Sequence, residues 1–168
     1  MKKTILKVLA LVMVCVFALG AVACGSAAKK DESGVDWSKY PAKLEDWSMA
    51  NLKDYLRAVG IIDDSNDKIM GIDMSANELE ATGVTAGFIY TNTTDGSVVD
   101  MFMEVRTEEL VNGLKNDHTI AGAIPMDAAL GNFGFSYSGG YDEKHIPALK
   151  KAIEDLGAHY KVAPEFFN

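Results

Sequence analysis

An almost unbroken apolar run, Ile5 to Leu19, opens the chain, and beyond Gly34 apolar residues return only at regular spacings. Leu52, Tyr55, Leu56 and Val59 fall at i, i+3, i+4 and i+7, which predicts an amphipathic helix over 47–59, with Gly60 as its stop. Lys68–Met74 predicts a short strand. Ser75-Ala76-Asn77-Glu78 is a capping box that opens a short helix ending near Gly83. From Val84 to Arg106 two β-rich arms flank Thr93-Thr94-Asp95-Gly96, the chemistry of a hairpin turn. In the second arm Val99, Met101, Met103 and Val105 share one face, expected to be the core face; Asp100, Phe102, Glu104 and Arg106 share the other.

Thr107-Glu108-Glu109 caps a helix through about Lys115, its acids placed where the dipole favours them. Thr119–Ile124 predicts another strand. Gly131–Gly140 alternates strictly, with Phe133, Phe135 and Tyr137 on one face and Gly134, Ser136 and Ser138 on the other. Ile146, Leu149, Ile153, Leu156 and Tyr160 mark a last helix that begins at His145 or Ile146, with Pro147 in its first turn. The hairpin implies antiparallel pairing. The predicted architecture is a two-layer α+β domain: an antiparallel sheet of about 4 strands with helices packed on one face.

The apolar run has a different meaning. Lys2, Lys3 and Lys7 precede or interrupt it, and Ala21-Val22-Ala23 follows it as a small-residue cleavage site, so residues 1–23 read as a secretory signal peptide. The run is short for a membrane span, which needs ~20 residues. Cys24 stands directly after the cleavage site. Here the sequence resembles a bacterial lipoprotein signal, although Ala21 stands where that family usually has leucine. The resemblance implies that Cys24 is lipidated and becomes the new N-terminus. An ordinary signal peptidase would cut at the same bond. Cysteine arithmetic favours the lipid: Cys15 leaves with the signal, so Cys24 has no partner for an intramolecular disulfide and would otherwise be an exposed thiol. Residues 24–35 then form a lipidated, flexible tether, and 36–168 a single α+β domain on the outer, extracytoplasmic face of a bacterial cell membrane.

Charge narrows the partners. Without the three lysines of the signal, 13 basic residues face 24 acidic ones, a formal charge of −11. Nucleic acid and anionic lipid headgroups both want basic patches, so neither is an expected partner. Solubility alone accounts for such acidity.

Catalytic chemistry is weakly signalled. The three histidines, His118, His145 and His159, sit in no recognisable motif, and G-x-S-x-G and H-E-x-x-H are both lacking. Asp63–Asp67 offers oxygen ligands, but an EF-hand count from Asp63 puts Lys68 at the glycine position and Met74 at the glutamate position. A solvated acidic turn is the better reading. Met101 and Met103 could offer thioethers to copper(I), or fill a core beside Val99 and Val105. No metal or cofactor is expected.

Aromatic residues supply the candidate ligand-facing set: Trp37 and Tyr40 in the N-terminal arm, Tyr137 of the aromatic strand and Tyr141 after it. Arg106, one of two arginines, could clamp a carboxylate or pair with Glu104 or Glu108. The expected function is a small-ligand- or protein-binding module at the cell surface. The alternatives are an envelope-acting hydrolase, which needs a histidine converging with a serine or carboxylate, and a structural or assembly lipoprotein, which needs a contiguous exposed apolar patch.

Overall fold

The computed structural model describes residues 34–65, 69–74, 79, 82–92, 99–137 and 144–167. The signal, Cys24, the capping box at 75–78, the hairpin turn at 93–96 and Tyr141 lie outside these residues.

Two 3-10 turns, Trp37–Lys39 and Leu44–Asp46, lead into helix α1 (Met49–Ala58). Strands β1 (Ile69–Asp73), β2 (Ala86–Asn92) and β3 (Val99–Glu104) follow, then helix α2 (Glu108–Asn116). Next come β4 (Thr119–Ile120), β5 (Ile124–Pro125), β6 (Ala128–Leu130) and β7 (Phe133–Tyr137), then helix α3 (His145–Tyr160) and β8 (Glu165–Phe166). α2 and α3 start where the sequence predicts, and α1 starts two residues after the expected 47. Asn51 Oδ1 accepts from the Ser48 backbone N–H and hydroxyl ahead of α1, and the Thr107 hydroxyl accepts from Leu110 N–H in α2. Pro147 lies in the first turn of α3. No helix of the described residues is long and apolar enough to cross a membrane.

The fold is α+β, with a large antiparallel sheet in the order β1-β2-β3-β7-β6-β8. The expectation of about 4 strands falls short of the 6 observed. β6 and β8 have three and two residues, too few to display an alternation. Thr119–Ile124 is not one strand but most of a separate β4–β5 hairpin, with Ala121 and Gly122 both at positive φ in its turn.

The expectation of helices on one face is also corrected. α1 and α3 cover one face, where Leu52, Tyr55, Leu149, Ile153 and Leu156 pack on Phe88, Phe102, Phe133 and Phe135. α2 and the β4–β5 hairpin cover part of the other, where Leu110, Leu114, Ile120 and Met126 pack on Met103, Val105 and Ala129. β3 is therefore buried on both sides. Phe102, Met103 and Val105 are fully buried, and so nearly are Asp100 and Glu104. The face expected to be outer, Asp100-Phe102-Glu104, is the larger core. The face expected to be core runs out into solvent at Val99, which is 40% exposed.

Candidate functional site

The aromatic candidates do not converge. Trp37 stacks on His159, centroids 3.8 Å apart, and lies 5.6 Å from Tyr55. Tyr40 stacks on Trp47 at 4.8 Å. Trp47 Nε1 donates to Tyr160 Oη, which donates to the Pro41 carbonyl. These rings strap the N-terminal arm over α1 and the C-terminal end of α3. Burial raises the pKa of both Tyr40 and Tyr160, as an apolar setting does to a phenol. Tyr137 lies at the other end of the domain, beside the N-terminal half of α3, with Lys150 Nζ 5.5 Å from its ring centroid. Lys150, beside Tyr137, and His159, beside Trp37, are separated by ~14 Å of helix rise along α3, so the candidates fall into two groups.

Arg106 is engaged internally. Its Nε donates to Glu104 Oε1 at 2.7 Å, and its two terminal nitrogens donate to the carbonyls of Glu45 and Trp47. Glu104 Oε2 in turn accepts the Met49 backbone N–H, the first of α1, at 2.7 Å. The predicted pairing with Glu104 is present, and it leaves the guanidinium no open fork for a ligand carboxylate. The other buried acid of β3 is used in the same way: Asp100 Oδ2 lies 2.6 Å from Nε2 of His145, the first residue of α3. His118 stacks on Phe167 at 4.0 Å. Among the described residues, His145 is the histidine that faces a carboxylate, and the side chains of the pair are 16% and 1% exposed.

The acidic turn and the methionines take their bland readings. Asp63 Oδ1 accepts from Ser65 N–H and Oγ, which lowers its pKa, and Asp64 pairs with Arg57 at 2.7 Å. Met103 is buried in the α2-side core. Two open grooves are formed by described residues. One, about 460 Å³, runs between Leu44, Gly131 and Tyr160; the other, about 370 Å³, lies along α2 beside Gly122. Neither gathers titratable groups with a histidine.

One feature of the surface stands apart. Among the described residues β1 ends the sheet, and Met70, Gly71, Ile72 and Asp73 are all exposed. Met70 and Ile72 lie 52% and 43% exposed on the α2-side face, and Val99, two strands away on the same face, completes an apolar patch. Among the described residues, α2 and the hairpin cover the β3-β7-β6 half of that face, and Met74 and Leu79 pack at its β2 side, while Met70 and Ile72 stay exposed. Edge strands in natural proteins are usually blunted by charge, proline or a bulge. β1 pairs regularly with β2 and carries one charge, Asp73, which Lys53 holds at 2.6 Å on the opposite face. Sequence reasoning found this strand but not its openness. The available signal was a strand-forming stretch, Ile69–Asp73, that contains neither proline nor lysine.

Comparison of the chain with protein-family models, with curated proteins and with solved structures gave no match.

Proposed function

We propose that this chain is a lipid-anchored bacterial protein of the extracytoplasmic membrane face, and that it works by protein contact through the open edge and outer face of its sheet. The observation that carries the reading is the exposed β1 strand with its apolar residues Met70 and Ile72. An extended segment can add to such an edge by main-chain hydrogen bonds, with alternate side chains giving specificity. The scatter of the aromatic candidates and the openness of both grooves favour this over a small-ligand site. The Cys24 tether places the contact surface close to the membrane, and the acidic surface keeps it off anionic headgroups.

Two measurements test the reading. A photoreactive residue at position 72, in membranes from cells making the full chain, is expected to give protein adducts that a photoreactive residue at exposed Glu154 on α3 does not. Equal yields from both positions, or none from 72, overturn the contact surface. Cys24→Ala is expected to release the chain from the membrane fraction; retention overturns the anchor.

A further inference from the structure

We infer that the protein docked on this edge is a second copy of the chain, paired antiparallel through β1 about a two-fold axis at Gly71. The inference deepens the protein-contact reading and rests on it.

Register decides the geometry. Met74 N–H bonds the Gly87 carbonyl, so the even-numbered residues of β1 turn their backbone polar groups toward β2. The N–H and C=O groups of Ile69, Gly71 and Asp73 therefore face the open edge. A two-fold at Gly71 pairs Gly71 with Gly71 and Ile69 with Asp73, which satisfies all three positions in both copies. Shifting the axis to Met70 or Ile72 leaves an outward position unmatched within the strand. A shift by a single residue in one copy would set inner-face against outer-face side chains.

The same register places Met70 of one copy opposite Ile72 of the other, and the reverse. These are the non-hydrogen-bonded positions, where Cα atoms approach to ~4.5 Å and side chains touch most closely. The two exposed apolar side chains of each copy thus cover those of its mate. Gly71 has no side chain to obstruct the axis, and its inner side is filled by the Phe88 ring.

Charge permits the approach of two acidic molecules. Asp73 is neutralised by Lys53, and Asp64, in the loop before β1, by Arg57. The two Asp73 carboxylates would stand four residues apart along the paired strands, roughly 13 Å at strand rise, beyond the ~8–10 Å Debye length. A two-fold normal to the sheet also keeps both N-terminal arms on one face, the α1–α3 face where Trp37 and Tyr40 pack. Both tethers then leave toward one membrane. A five-residue strand pair buries less than the ~1,600 Å² of a standard interface, so the dimer is weak in dilute solution and is favoured by confinement to the membrane.

The test mixes full-length Met70→Cys and Ile72→Cys chains in membranes under mild oxidation, with the unsubstituted chain as background for Cys15 and Cys24. Both positions are exposed, so the variants keep the fold. The expected result is a disulfide dimer of unlike chains at least tenfold above either variant alone, because opposed Cα atoms at ~4.5 Å lie within disulfide reach and like positions lie diagonally apart. Ile72→Lys in both chains, each with a photoreactive residue at 70, is expected to remove self-adducts. No unlike-chain disulfide above background overturns the dimer. If position 72 then still gives adducts of a different mass, the contact reading survives with an extended strand of another envelope protein as occupant. If it gives none, both readings fall.

Discussion

Nε2 of His145 lies 2.6 Å from Oδ2 of Asp100, and the contact ties the first residue of α3 to the middle of the sheet. Four residues along the same strand, Glu104 accepts the first backbone N–H of α1. Both buried acids of β3 thus sit at the N-termini of the helices that cover their face, where the dipole favours a negative charge. Each carboxylate holds a helix at a fixed height on the sheet.

The two partners of the first pair should not be equivalent. His145→Ala leaves a carboxylate buried among Tyr90, Phe102 and Tyr137 without the imidazole Nε2 that faces it, and is expected to cost about 2–4 kcal/mol. Asp100→Asn keeps a polar side chain opposite the imidazole, and is expected to cost about 1–2 kcal/mol. Urea unfolding at pH 7 checks the order. A larger cost for Asp100→Asn would mean that the imidazole, not the carboxylate, is the group the fold cannot leave alone.

Arg106 is a strut between strand and strap. Removing it frees the carbonyls of Glu45 and Trp47 and leaves Glu104 with Met49 N–H alone. Arg106→Ala is expected to cost about 1–3 kcal/mol, and Arg106→Lys to recover little, because an ammonium cannot reach three acceptors in a planar fork. Amide exchange at 45–49 should quicken in both variants. Unchanged exchange there would return Arg106 to the list of candidate ligand contacts.

Much of this fold was legible because periodicity reports burial. The α3 stripe and the Phe133-Phe135-Tyr137 alternation each gave an element where one stands, though Tyr137, expected to face a ligand, is buried with Phe133 and Phe135. β3 misled for the same reason. A strand buried on both sides shows no polar face, and the acids at 100 and 104 imitate one. Their pairing with His145 and Met49 spans long stretches of sequence, and no local pattern encodes it. The candidate ligand set divides on geometry: proximity along the chain put Tyr40 beside Trp37, but only the run of α3 from Lys150 to His159 sets Tyr137 apart from Trp37.

Gly157 offers a case where propensity and packing disagree. Alanine is the better helix former by ~1 kcal/mol. A Cβ at 157, however, would lie 2.5 Å from the Val162 carbonyl oxygen and 3.1 Å from Pro164 Cδ. That backbone cannot withdraw easily, since Val162 N–H bonds the Gly157 carbonyl at 2.9 Å and Lys161 turns there at φ 57°. The clash should win, and Gly157→Ala is expected to lower stability by about 1–3 kcal/mol. A rise in the thermal midpoint would show that the chain after α3 lifts away without cost.

Tyr137 should govern part of the alkaline limb of stability. Its hydroxyl is buried with no hydrogen-bond partner among the described residues. Burial first, then the nearby Asp127 carboxylate, pushes its pKa from 10.0 to about 12. A pKa raised in the folded state means that the protein holds the proton longer than the unfolded chain does. Below pH 10 both states are protonated and the contribution is at its full value. Between pH 10 and about 12 the unfolded chain gains by ionising while the folded one does not, so stability falls with rising pH. Tyr137→Phe removes this proton. At pH 7 the variant is expected to be as stable as the parent or more so, by up to about 1 kcal/mol, because an unsatisfied hydroxyl is taken out of the core. Above pH 10 its advantage should widen as the parent declines. Urea midpoints from pH 7 to 11.5 decide the matter: parallel curves, with the variant the weaker at every pH, would require a hydrogen-bond acceptor for Tyr137 and a solvated phenolate.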